Sequence, residues 1–171
     1  NSTDVDGLEL WVSFDENGKS NFSNLKFNAD EDPNLKISVA SMNFSLKNAL
    51  IHYGDVSRKL SGEAKNLTIG VEPENLQAAE NERRYKFDLN STKSIFSYDE
   101  KPIEPIDITA QGVADKNGAE ISSLKIISPL GESNLSGTVT NWELLKYNLK
   151  ISSNVDLQRT ATILPTGATL R

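Results

Sequence analysis

Apolar and polar residues alternate with a period of two along nearly the whole chain, and this confines it to an all-β architecture. Leu8, Leu10, Val12 and Phe14 fall on one face of the first such segment. Leu35, Ile37 and Val39 keep one phase, and Met42, Phe44 and Leu46 then take the opposite one. The same reversal separates Leu60, Gly62 and Ala64 from Leu67, Ile69 and Val71. A reversal of phase marks a bulge, or a strand that crosses from one face to the other. Further alternating runs centre on Phe87, Ile108, Ile126, Gly137 and Leu149.

Asn17-Gly18, Gly54-Asp55, Asn117-Gly118 and Leu130-Gly131 punctuate these runs as reversals. About ten strands joined by short turns give long, antiparallel, meander-like strands in one sheet. At most one short helix is expected, near 73–81, where Pro73 precedes a minimal apolar stripe of Leu76 and Ala79, and a polar loop fits the same residues. Pro102 and Pro105 fit a central strand badly and belong at an edge, a bulge or a loop. Gly62, Gly112 and Gly137 lie inside strand patterns, where a bulge, or close approach by another backbone or a ligand, accounts for a missing side chain.

The 171 residues suit one segment, 1–171, read as a fragment of a longer protein. A net charge of −6 with scattered Lys and Arg argues against nucleic acid as a partner, because a phosphate-tracking surface needs clustered cations. The absence of cysteine removes thiol catalysis, zinc ribbons and disulfides together. No apolar run approaches the roughly 20 residues that span a bilayer as a helix.

Sites of covalent chemistry are scarce. His52 is the only histidine, and it alternates with Ile51 and Tyr53 as a solvated strand residue would. Gly131-Glu132-Ser133-Asn134-Leu135 opens like a nucleophile elbow but lacks its closing glycine. Asp4-Val5-Asp6-Gly7 begins like a calcium loop, yet Leu8, Leu10, Trp11 and Val12 follow where oxygen ligands are required. The six Asn-x-Ser/Thr sequons follow from an Asn- and Ser-rich composition. No catalytic residue, metal ligand or cofactor is therefore expected. Trp11, Trp142 and Tyr98 are the residues a carbohydrate-binding β-protein would use for stacking.

Long strands with one apolar face and few helices pose a burial problem. A second sheet, curling of the sheet on itself, or a ligand must cover that face.

Three phrases carry a family resemblance. The first is Gly7-Leu8-Glu9-Leu10 followed by Asp15-Glu16-Asn17-Gly18-Lys19-Ser20-Asn21-Phe22. The second is the hairpin from Asn48-Ala49-Leu50-Ile51-His52-Tyr53-Gly54-Asp55 to Leu60-Ser61-Gly62-Glu63-Ala64-Lys65-Asn66-Leu67-Thr68-Ile69. The third runs from Leu124-Lys125-Ile126 through Ser128-Pro129-Leu130-Gly131 and Leu135-Ser136-Gly137 to Asn141-Trp142. Together they resemble the periplasmic portion of the AsmA/TamB-like family, from about Gly7 to Leu157.

The resemblance implies a curled sheet or open groove, β-taco-like, with an apolar concave face that shelters phospholipid acyl chains. It implies a non-catalytic role in lipid transport between inner and outer membranes and in outer-membrane biogenesis. It also implies a periplasmic location in a diderm bacterium, with an inner-membrane tether outside this chain. The implied partners are phospholipid acyl chains, flanking β-groove segments of the same protein and outer-membrane assembly proteins. The apolar phase of the longest strands supplies the lipid-groove candidates: Ile37, Val39, Leu67, Ile69, Ile106, Ile108, Leu135, Val139, Leu149 and Ile151. A closed β-sandwich, a structural or interaction module without lipid cargo, uses the same residues as an ordinary core.

Overall fold

A computed structural model of the chain describes residues 2–21, 43–75, 77–79, 82–141 and 146–163. It contains nine strands and a short helix: β1 (Ser2–Asp6), β2 (Glu9–Phe14), β3 (Asn43–Asp55), β4 (Leu60–Pro73), β5 (Tyr85–Tyr98), β6 (Lys101–Asp115), β7 (Gly118–Ser128), β8 (Gly131–Thr140), β9 (Lys146–Val155) and α1 (Leu157–Ile163). All nine strands join one open sheet in the order β1-β3-β4-β5-β6-β7-β8-β9, with β2 also on β3. From β3 onward each strand pairs antiparallel with the next. The fold is all-β, as the alternation predicts.

The edge departs from a pure meander. β1 and β2 both run parallel to β3, with Val5 opposite Leu46 and Trp11 opposite His52. They form one edge strand interrupted at Gly7, whose φ of 73° is a left-handed conformation that glycine adopts without a Cβ penalty.

The described residues of 73–81 take the loop rather than the helix, and the short helix lies further along the chain. In the span 73–81, Pro73 ends β4 opposite Tyr85. Asn75 then opens a tight turn, its Oδ1 accepting from Gln77 N at 3.0 Å and its carbonyl from Ala78 N at 3.3 Å. Two apolar residues give a helix there too little surface to bury, so local side-chain bonding takes the backbone instead. The helix forms at Leu157–Ile163, where Asp156 caps it by accepting from Gln158 N at 2.9 Å and Arg159 N at 3.1 Å.

The reversals of apolar phase coincide with irregular pairing. Asn48 in β3, Asn66 in β4 and Lys93 in β5 all have positive φ (51°, 47° and 56°), and the neighbouring pairings shift register there. β6 shifts against β5 between Ile106 and Ile103, around Pro105, and β7 shifts against β8 between Ile121 and Leu124. Each extra residue reverses the alternation, so the apolar phase before and after it stays on one face. Pro102 lies on the part of β6 that β7 does not reach, because their pairing begins at Asp107. The prolines thus occupy a local edge and a bulge.

These irregularities form a line across β3–β6, continued at the edge by Gly7. The buried apolar side chains among the described residues cluster along it, Leu46, Ala49, Leu67 and Ile106, together with the buried Ser91 and Ser94. Val5, Ile51, Ile69 and Leu89 pack on the Leu46–Ala49–Leu67 cluster from the same face. Bulges bend the strands that carry them. The sheet is therefore creased here, with the apolar face on the inside of the crease.

Candidate functional site

Directly paired residues of neighbouring strands project to the same side of a sheet, so the register traces the inner face strand by strand. One row runs Val5–Leu46–Ile69–Leu89–Ala110–Leu124–Leu135–Ile151, crossing eight strands without a polar residue. The row beside it runs Phe44–Val71–Phe87–Gly112–Ile121–Gly137–Leu149. The intervening positions reach the other face, where Ser45–Gly70–Asp88–Gln111–Ser123 is a typical row. The inner side is mainly apolar, interrupted by serines in the row Ser91–Ile108–Ile126–Ser133–Ser153, and the other side is mainly polar.

Leu67, Ile69, Ile106, Ile108, Leu135, Val139, Leu149 and Ile151 all lie on the inner face. Ile37 and Val39 lie outside the described residues. Exposure rises along the sheet, from 3% at Leu67 to 61% at Ile151 and 73% at Tyr147 on the β9 edge. The element pairs in extended contact are all lateral neighbours within the sheet, so no described element is stacked on this face. A closed sandwich would require such a second layer.

The sequence choice omitted Val5, Leu46, Ala49, Ile51, Phe87, Leu89 and Leu124, which belong to the same face. Their alternation was visible, but linking strands of opposite phase requires the bulge positions. Beside the crease lies a concavity of about 190 Å³ lined by Ile51, Tyr53, Ala64, Phe96, Ile106 and Ile108, among others. At its floor Ser91 Oγ and Ser94 Oγ share a hydrogen bond of 2.7 Å. Ser91 Oγ donates to Lys65 O at 2.9 Å, and Ser94 Oγ accepts from Lys65 N at 3.0 Å. The two hydroxyls thereby satisfy backbone groups that the β4 bulge leaves unpaired.

The strand glycines have distinct causes. Gly62 sits in regular pairing, and a Cβ there would strike the Ile95 carbonyl oxygen. Gly112 adjoins a register shift and lies beneath Phe87. Gly137 is held with φ 142° against the β9 backbone. Backbone approach governs Gly62, whereas bulge and close approach combine at Gly112.

At the β3 end of the inner face, Asp55 is fully buried and forms a latch. Its Oδ1 accepts from Ser57 Oγ at 2.7 Å and Arg58 N at 3.0 Å, and its Oδ2 from Arg58 Nη1 at 2.6 Å. The Ser57 hydrogen bond and then the bonds to Arg58, against the opposing effect of burial, lower the carboxyl pKa to about 2. Its neighbour Tyr53 shifts upward, through burial first and the Asp55 charge second.

His52 lies on the outer face. Its Nε2 is 2.9 Å from Glu9 Oε1, its Nδ1 is 3.4 Å from Glu63 Oε1, and its ring stacks on Trp11. Ser133 stands in the middle of β8, its Oγ 2.9 Å from Ser153 Oγ, a strand position rather than a strand-to-helix elbow. Trp11 and Tyr98 are on opposite faces, since Tyr98 pairs with Leu60 on the inner side. Trp142 lies outside the described residues.

No family model, no curated protein and no solved structure matches the chain.

Proposed function

We propose that the inner face is a trough that shelters lipid acyl chains, and that the protein acts without covalent chemistry in moving phospholipid across an aqueous compartment. The observation that carries this reading is the unbroken apolar row from Val5 to Ile151 on a sheet with no described layer over it. At about 4.8 Å per strand the row extends for roughly 34 Å, a continuous path rather than an isolated pocket. Each methylene taken from water gains roughly 0.8 kcal/mol, so an acyl chain lying along the row is held without any specific polar contact. The polar outer face lets the same sheet stand in water.

The AsmA/TamB-like resemblance supports a location in the periplasm of a diderm bacterium. The partners there are flanking groove segments and outer-membrane assembly proteins, and the chain is tethered to the inner membrane by a segment outside it.

Mass spectrometry of protein purified under native conditions tests the reading. Co-purifying phospholipid, together with crosslinks from a photoreactive residue at Val139 or Ile106 to phospholipid in cells, is the expected result. A folded protein that labels lipid from neither position, and carries none, overturns it.

A further inference from the structure

We propose that Trp11 is the stacking platform of a carbohydrate site on the outer face of the β2 edge, and that it takes a β-linked pyranose with equatorial substituents. Trp11 is 56% exposed on the polar side of the sheet, so it contributes nothing to the inner trough. Its ring lies parallel to that of His52, with centroids 4.8 Å apart and an interplanar angle of 10°. His52 is itself held on both sides, Nε2 facing Glu9 Oε1 at 2.9 Å and Nδ1 facing Glu63 Oε1 at 3.4 Å. One face of the indole is thus backed by a ring fixed between two carboxylates, which sets its orientation before any ligand arrives.

A missing strand does not account for the open face. Asn21 folds back over the β2 edge: its Nδ2 donates to Trp11 O at 2.8 Å, its Oδ1 accepts from Ser13 N at 2.9 Å, and its N donates to Ser13 O at 2.9 Å. Backbone groups that another strand would need are taken, so the edge is closed to sheet extension beside Trp11. An indole kept in place at a closed edge is available to a ligand instead.

The surroundings select the ligand class. Glu9 and Ser13 lie two residues to either side of Trp11 on the same face of β2, about 6.8 Å away along the strand. That spacing sets a carboxylate and a hydroxyl beside the rim of a sugar ring whose axial C–H groups rest on the indole. A caged ammonium ligand would instead call for several aromatic walls, and among the described residues Trp11 is the one exposed there.

The indole N–H resonances of the intact protein are followed by NMR during titration with cellotetraose, chitotetraose and, separately, tetramethylammonium chloride. The Trp11 resonance is expected to shift saturably at millimolar tetrasaccharide, with the Glu9 and Ser13 amides moving alongside and the Ile126 amide, on β7 across the sheet, serving as reference. Calorimetry should show binding lost in Trp11→Ala and weakened severalfold in His52→Ala, with unchanged far-ultraviolet circular dichroism. The wild-type titration decides the matter even if a variant fails to fold. Absence of a Trp11 shift with either sugar overturns the proposal, as does a response to tetramethylammonium alone.

Discussion

Phe87 stands directly opposite Gly112 on the inner face, and a Cβ on Gly112 would lie 2.7 Å from Phe87 Cζ and closer still to the Glu120 carbonyl oxygen. The ring therefore occupies the place of a side chain on the neighbouring strand. Gly112→Ala is expected to destabilise the sheet by about 1–3 kcal/mol, the usual cost of overpacking, and Gly112→Val by more. Urea unfolding followed by circular dichroism measures the difference.

The inner face responds to charge according to position. Leu67, 3% exposed at the crease, has no route to water, so Leu67→Asp should cost more than about 3 kcal/mol and unfold the protein. Val139 is only partly buried, between Ala119 and Tyr147. Val139→Asp keeps its carboxylate hydrated and should cost no more than about 1 kcal/mol, within the range of strand preferences, while lipid occupancy falls. Thermal melts and lipid analysis of the two variants provide the comparison.

The bulge in β5 holds Lys93 at φ 56°, a conformation that costs a side-chain-bearing residue roughly 1 kcal/mol. Lys93→Gly should leave stability unchanged or raise it by up to about 1 kcal/mol, since the relieved strain is offset by greater freedom of the unfolded chain. Lys93→Val should destabilise. Chemical denaturation of the two variants gives the ordering.

Asp55 ties the stability of the β3–β4 turn to acid pH. Its folded pKa is lowered from 3.8 to about 2, so its contribution is fully present above the unfolded value and is lost as pH falls through the folded one. The turn should stay latched down to about pH 4 and loosen between about pH 4 and 2. A carbon-13 carboxyl titration locates the midpoint, and Asp55→Asn should remove that part of the pH dependence. A midpoint near 4 would mean that the Ser57 and Arg58 bonds do not hold in solution.

The alternation Leu67-Thr68-Ile69 or Leu135-Ser136-Gly137-Thr138-Val139 required no tertiary knowledge, because the side chains of a strand point alternately to its two faces. The all-β class, the Asn17-Gly18 turn and the awkward placement of Pro102 and Pro105 were legible for the same local reason. Even the reversals of phase at Ala64–Leu67 were visible as candidate bulges.

Other features depended on residues far apart in the chain. The parallel pairing of Trp11 with His52 spans 41 positions, and no local signal distinguishes it from an antiparallel partner. The helix moved from 73–81 to Leu157–Ile163 because a short helix depends on capping and packing more than on composition. Alternation by itself determined that each strand has an apolar side. Only the register, with bulges at Asn48, Asn66 and Lys93 restoring the phase, decided that these sides join into one continuous face, since a strand cannot encode where its neighbour's count begins.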